Sequence, residues 1–133
     1  MYKSIGISIA LIPFIFSIAT VGTASNFIDI QSMFMVLAGT LGLMLFKYGN
    51  KALIFWKLPD SQRTTIANWS GKTCMHVGIT AAVVGYIQIA NNLKDLSMIG
   101  PALAIASITI LYSYFGYLFI FRPFVMEKVV IQS

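Results

Sequence analysis

Charge is missing from the interiors of four long stretches of this 133-residue chain, at about 4–22, 31–48, 74–90 and 99–121. The one ionised side chain inside those bounds is Lys47, next to the end of the second. Each stretch comes close to the length of about 20 residues that crosses a bilayer core as a helix. The chain is 58% hydrophobic, with a mean hydropathy of +0.83, whereas soluble domains hold roughly 45–50% apolar residues. This excludes an ordinary soluble domain. Four spans also use up most of the length, which leaves no room for a second domain, so 1–133 reads as a single all-α membrane domain.

Other scarcities narrow the chemistry. One cysteine, Cys74, rules out an intrachain disulfide, and its simplest role is that of a small apolar filler. One histidine, His76, and one cysteine cannot build a metal site alone. His76 has no carboxylate near it in sequence to form a proton relay. There is no nucleophile–base pair, glycine-rich phosphate loop or paired carboxylate. The expectation is a protein that is not an enzyme and holds no cofactor or metal.

The charges that are present number nine basic and four acidic. Lys3 precedes the first stretch, Lys47, Lys51, Lys57, Arg63 and Lys72 lie at or between the second and third, and Arg122 and Lys128 follow the fourth. The 23–30 connection has no basic residue, and the 91–98 connection has only Lys94. The positive-inside rule then places both termini and the 49–72 loop in the cytoplasm. The basic balance reads as topology and contact with anionic lipid, not nucleic-acid binding. Lys3, an apolar run and Gly22-Thr23-Ala24 imitate a secretory signal. The run is longer than a signal core, and removing it would leave an odd number of spans at odds with the charges, so a span is expected.

Local signals mark the spans. Pro13 sits near the centre of the first, where membrane helices tolerate it. The 23–30 turn holds Ser25, Asn26 and Asp29. Gly49-Asn50 follows the second span as a stop signal. In the 49–72 loop, Leu53 to Leu58 reads as a short amphipathic segment on the inner leaflet, and Trp56 and Trp69 read as interfacial anchors. The 93–97 loop is tight, so the third and fourth spans form a hairpin, with Pro101 in the first turn of the fourth. Small residues recur at helical spacing: Ala102, Ala106, Thr109, Ser113 and Gly116 on the fourth span, Gly78, Ala81, Ala82 and Gly85 on the third, and Ala38, Gly39 and Gly42 on the second. Such faces let membrane helices approach closely. The bland reading is helix packing for Gly39, Gly42, Gly78 and Gly116; the sharper one is that some faces line a channel or grip a partner helix.

Two stretches carry a resemblance. Phe27-Ile28-Asp29-Ile30-Gln31-Ser32, followed by Val36-Leu37-Ala38-Gly39-Thr40-Leu41-Gly42, is similar to a signature at the start of the second span in the MotA/TolQ/ExbB proton-channel family. Gly85-Tyr86-Ile87-Gln88, Asn92, Ile99 to Ala104, Thr109, Leu111-Tyr112 and Pro123 resemble the hairpin of its flagellar stator A-subunit branch (MotA and PomA). The matches cover about two thirds of the chain. The resemblance implies a homo-oligomeric ring, usually a pentamer, in the bacterial inner membrane, around a single-span MotB/ExbD/TolR-like subunit whose helix carries the ion-binding carboxylate. It implies that Thr109 faces that carboxylate, with Ser113, Ala106, Ala102, Ala82 and Gly85 along the ion pathway, and that Pro101 and Asp29 are structural. The large cytoplasmic domain of the branch is reduced here to 49–72. Met75 replaces a proline, and Ala82 and Ile110 stand where hydroxyl residues would ligate sodium, which points to protons. The alternatives are a non-conducting scaffold of the same fold and a compact four-helix transporter. The second of these usually carries an embedded Glu that this chain lacks.

Overall fold

The computed structural model describes residues 2–21, 28–91, 97 and 99–125. The expected turn residues 23–27, the Gly22-Thr23-Ala24 motif, the 92–96 loop with Lys94, and the tail from 126 with Lys128 lie outside the described residues. Those described are almost wholly helical, with no strand among them. Helix α1 runs Tyr2–Val21, α2 Ile30–Tyr48, α3 Asn50–Leu53, α4 Asp60–Asn91 and α5 Ile99–Phe115. A 3₁₀ turn, Phe55–Lys57, links α3 to α4. A π-helical turn, Gly116–Phe121, carries α5 onward to Val125. Three helices are long and apolar enough to cross a membrane: α2, α4 and Ile99–Val125.

The helix starts and stops follow local chemistry. Asp29 caps α2 in an extended conformation, its carboxylate accepting from the backbone N–H groups of Gln31 and Ser32. The first N–H groups of a helix have no partner inside it, so a carboxylate there both hydrogen-bonds and meets the positive end of the helix. Gly49, at φ +56°, ends α2 in a conformation that disfavours other residues. The third span is expected from about 74, but its helix begins at Asp60 and runs unbroken for 32 residues. Residues 60–73 are polar and so invisible to hydropathy, yet nothing in them breaks a helix. At 1.5 Å per residue α4 is about 48 Å long, close to the full thickness of a bilayer with its headgroups, about 40–45 Å.

The bundle is held together along one seam. α4 and α5 run antiparallel, as the tight loop between them predicts. Gly71 meets Tyr117 and Phe121, Gly78 meets Ser113 and the Thr109 carbonyl, and Gly85 meets Ala106. The three glycines are seven residues apart and lie on one helical face. On α5 the expected stripe is the facing surface: Ala106, Thr109 and Ser113 are buried, and Gly116 lies beside the Cys74 sulfur. α2 packs against this pair through Ser32, Val36, Thr40 and Met44, with Gly39 against Val77. α1 is peripheral. None of its described side chains is buried, and Phe14 rests edge-on against Phe115 and Phe119, with centroids 5.1 and 6.2 Å away.

The seam gives a graded expectation. A Cβ on Gly78 would overlap the Ser113 side chain, one on Gly85 would stand 3.1 Å from the Ala106 Cβ, and one on Gly42 would meet nothing within 4 Å. Gly78→Ala should destabilise the purified protein by about 1–3 kcal/mol, Gly85→Leu should do at least as much, and Gly42→Ala should leave it unchanged. Unfolding in a denaturing-detergent titration reads this order. Equal stability of the Gly78 and Gly42 variants would dismiss the seam.

Candidate functional site

The candidate site lies where α2 begins, against the middle of α5. Its frame is the Asp29 cap. The carboxylate holds the N–H groups of Gln31 and Ser32 at 3.3 and 3.1 Å, while the Asp29 N–H donates to the Tyr112 hydroxyl oxygen at 3.0 Å. This pins the start of α2 to α5. The Ser32 hydroxyl also reaches the carboxylate, and the Thr109 and Ser32 hydroxyl oxygens are 2.8 Å apart. Each hydroxyl has one proton, and an ionised carboxylate can only accept. Ser32 therefore donates to Asp29. Thr109 then donates to Ser32, and its 3.0 Å approach to the Ile105 carbonyl is a secondary contact. The result is a directed chain, Thr109 to Ser32 to Asp29, buried at its first two members and half-exposed at its end.

Beside this chain lies a cavity of about 700 Å³ between α2, α4 and α5. Of the residues expected on the ion pathway, Thr109, Ala106, Ala102 and Gly85 line it together, and Pro101 sits at its edge. Ser32, Gln31, Gln88 and Asn91 add polar groups to an otherwise apolar wall, and no lining side chain among the described residues is ionisable. The space can accept an apolar segment carrying one polar or charged group, with the Thr109–Ser32 pair as its nearest hydroxyls.

The other two expected pathway residues sit elsewhere. Ala82 is wholly buried and Ala81 lines the cavity in its place. Ser113 is wholly buried under Gly78, its hydroxyl donating to the Ile110 carbonyl at 2.7 Å. Both belong to the seam. Among the packing glycines, Gly39, Gly78 and Gly116 touch neighbouring helices, whereas Gly42 faces open space. His76 is exposed and does not line the cavity. Among the described residues no cluster of potential metal ligands occurs.

Sequence reasoning assigned no role to Ser32 or Tyr112. The signal for Ser32 is the Asp-x-x-Ser spacing, which puts its hydroxyl and N–H within reach of one capping carboxylate. Nothing local announces that Tyr112, 83 positions away, holds the Asp29 amide.

The hydroxyl pair can be weighed directly. In a double-mutant cycle of Ser32→Ala and Thr109→Val, read by unfolding in detergent, the coupling energy should be about 0.6 kcal/mol and no more than about 1.7, the range for hydrogen bonds between membrane helices. Strict additivity would mean that the two hydroxyls do not share a bond. No protein-family model matches this chain, and no curated protein matches it.

Proposed function

We propose that this chain is an A-type ring subunit of a proton-channel complex in the bacterial inner membrane, working with a single-span, carboxylate-bearing B-type partner. The observation that carries the reading is the cavity beside Thr109. It has room for a foreign side chain, polar groups on its wall, and no ionisable side chain among the described residues that line it. A buried charge alone in a membrane is costly, so a transporting path without one needs its carboxylate from another chain. In this reading α1 is the fourth span. It has 20 helical residues, about 30 Å long, and no charge from 4 to 22. The basic residues put the termini and the α2–α4 connection in the cytoplasm. Peripheral α1 and the outward face of α2, with Phe34, Phe46 and Gly42 open, are the surfaces left for neighbouring copies, with five the expected number. Among the described residues the cavity presents only the Ser32 and Thr109 hydroxyls, too few oxygens to replace the hydration shell of a sodium ion, which favours protons.

A second reading has its own support. The Thr109 hydroxyl already has a partner in Ser32, and Ser113 is spent on its own helix. A scaffold that keeps the fold without conduction would look the same at these two residues.

The deciding experiment is purification of the tagged full chain in mild detergent, with its mass, co-purifying chains and proton flux after reconstitution. A ring holding a single-span partner with a membrane Asp, and a severalfold drop in flux for Thr109→Val at unchanged ring mass, is the expected outcome. A ring without a partner and without flux would leave the scaffold reading in place, and a monomer would remove both.

A further inference from the structure

The basic end of the bundle holds two elements with opposite surfaces. The first turns of α4 expose Asp60, Ser61, Gln62, Thr65, Asn68 and Lys72, all polar. The bend between α2 and α4 exposes Leu53, Ile54 and Trp56 at 69%, 48% and 66%, flanked by exposed Lys51 and Lys57. The bend is not loose. Phe55 is buried and stacks edge-on with Phe124, as Trp56 does, both with centroids 5.3 Å apart. Arg63 lies over the same Phe124 ring, and the Thr64 hydroxyl, which donates to the Asp60 carbonyl at 2.7 Å, lies 3.2 Å from the Phe124 carbonyl. The apolar side chains are thus held outward by a packed platform.

Depth follows from the aromatic belt. Tyr48 and Trp69 meet edge-on at 5.5 Å, with the Lys47 ammonium 4.3 Å from the centre of the Trp69 ring. Such a group marks the edge of the hydrocarbon. Thr65 and Ser61 lie one and two turns further along α4, about 6–12 Å beyond that edge, where lipid headgroups sit. At this level a cleft of about 390 Å³ opens between the end of α2 and the start of α4, lined by Tyr48, Lys51, Ser61, Gln62, Thr65 and Ile66. Its polar lining is one ammonium, three hydroxyls and an amide, and no carboxylate lines it among the described residues. Asp60 is turned to its ion pair with Arg63.

We propose that this cleft seats the phosphate of an anionic phospholipid, with Leu53, Ile54 and Trp56 lying in the interfacial layer beside it. Lys51 supplies the charge, and the Ser61 hydroxyl and the Gln62 amide supply donors, while the Thr65 hydroxyl, which donates to the Ser61 carbonyl at 3.1 Å, must turn from that bond to join them. The bend is then a lipid-binding element independent of whether the cavity at the other end conducts ions. Lys57, also exposed but outside the cleft, provides the internal control.

The test is native mass spectrometry of the detergent-purified full chain with phosphatidylglycerol and phosphatidylcholine added at equal concentration. Wild type should retain phosphatidylglycerol preferentially. Lys51→Gln should lose about fivefold of that preference, the contribution of one lysine at an anionic surface, and Lys57→Gln should keep it. Circular dichroism confirms that both variants are folded, and Ser61→Ala/Thr65→Ala gives a second approach to the same cleft. Equal losses in Lys51→Gln and Lys57→Gln would show diffuse charge attraction and overturn the site. Displacement of the lipid by excess inorganic phosphate would reassign the cleft to a soluble anion and overturn the lipid reading as well.

Discussion

The fold depends on how closely α4 and α5 approach. Lipid tails offer helices no hydrophobic contrast, so association must come from contact itself. Three glycines on α4, seven residues apart, remove the side chains that would hold the two backbones apart. That spacing favours a nearly parallel crossing, which keeps the helices in contact along most of their length. Once the seam has set the register, Thr109 is presented to α2 and Tyr112 reaches the cap of α2. The candidate site is thus a consequence of the seam, built from side chains that alone would have no reason to meet.

Polar groups within the apolar layer are handled in two ways. Thr40, Ser107 and Thr20 return their protons to carbonyls one turn back in their own helices, the usual arrangement where no water is available. Ser32 and Thr109 bond across helices and end on a carboxylate. The difference is one of position. Ser32 lies in the first turn of its helix, where the capping carboxylate competes with the carbonyl for its proton. The same local rule that starts α2 therefore also orients the polar edge of the cavity.

Much of this was legible in the sequence. The absence of charge located three apolar helices and the helical extent of α1, and the stripe from Ala102 to Gly116 predicted which face of α5 is buried. The origin of α4 at Asp60 was not legible from hydropathy, because residues 60–73 are helical without being apolar. Nor could periodicity separate Gly39 from Gly42. Both lie on the same side of α2, and only the position of Val77 determines that one is packed and the other open. Ala81 and Ala82 exchange roles for the same reason. Adjacent residues differ by about 100° around a helix, and the wall of a cavity is narrower than that.

The π-helical turn at Gly116–Phe121 has a consequence for chain length. The Arg122 N–H bonds back to the Tyr117 carbonyl, five residues earlier. A regular helix would carry the buried stripe from Ser113 through Gly116 to Ile120, yet Ile120 is exposed and Phe121 is buried. The wider turn absorbs one residue and rephases everything after it, so that Phe121 and Phe124 reach the platform under α4. It is the place in α5 where the numbering slips against the geometry. A homologous chain one residue shorter here would close the turn to an ordinary one and still present the same aromatic pair, which makes this turn the natural position for a gap when sequences of this kind are aligned.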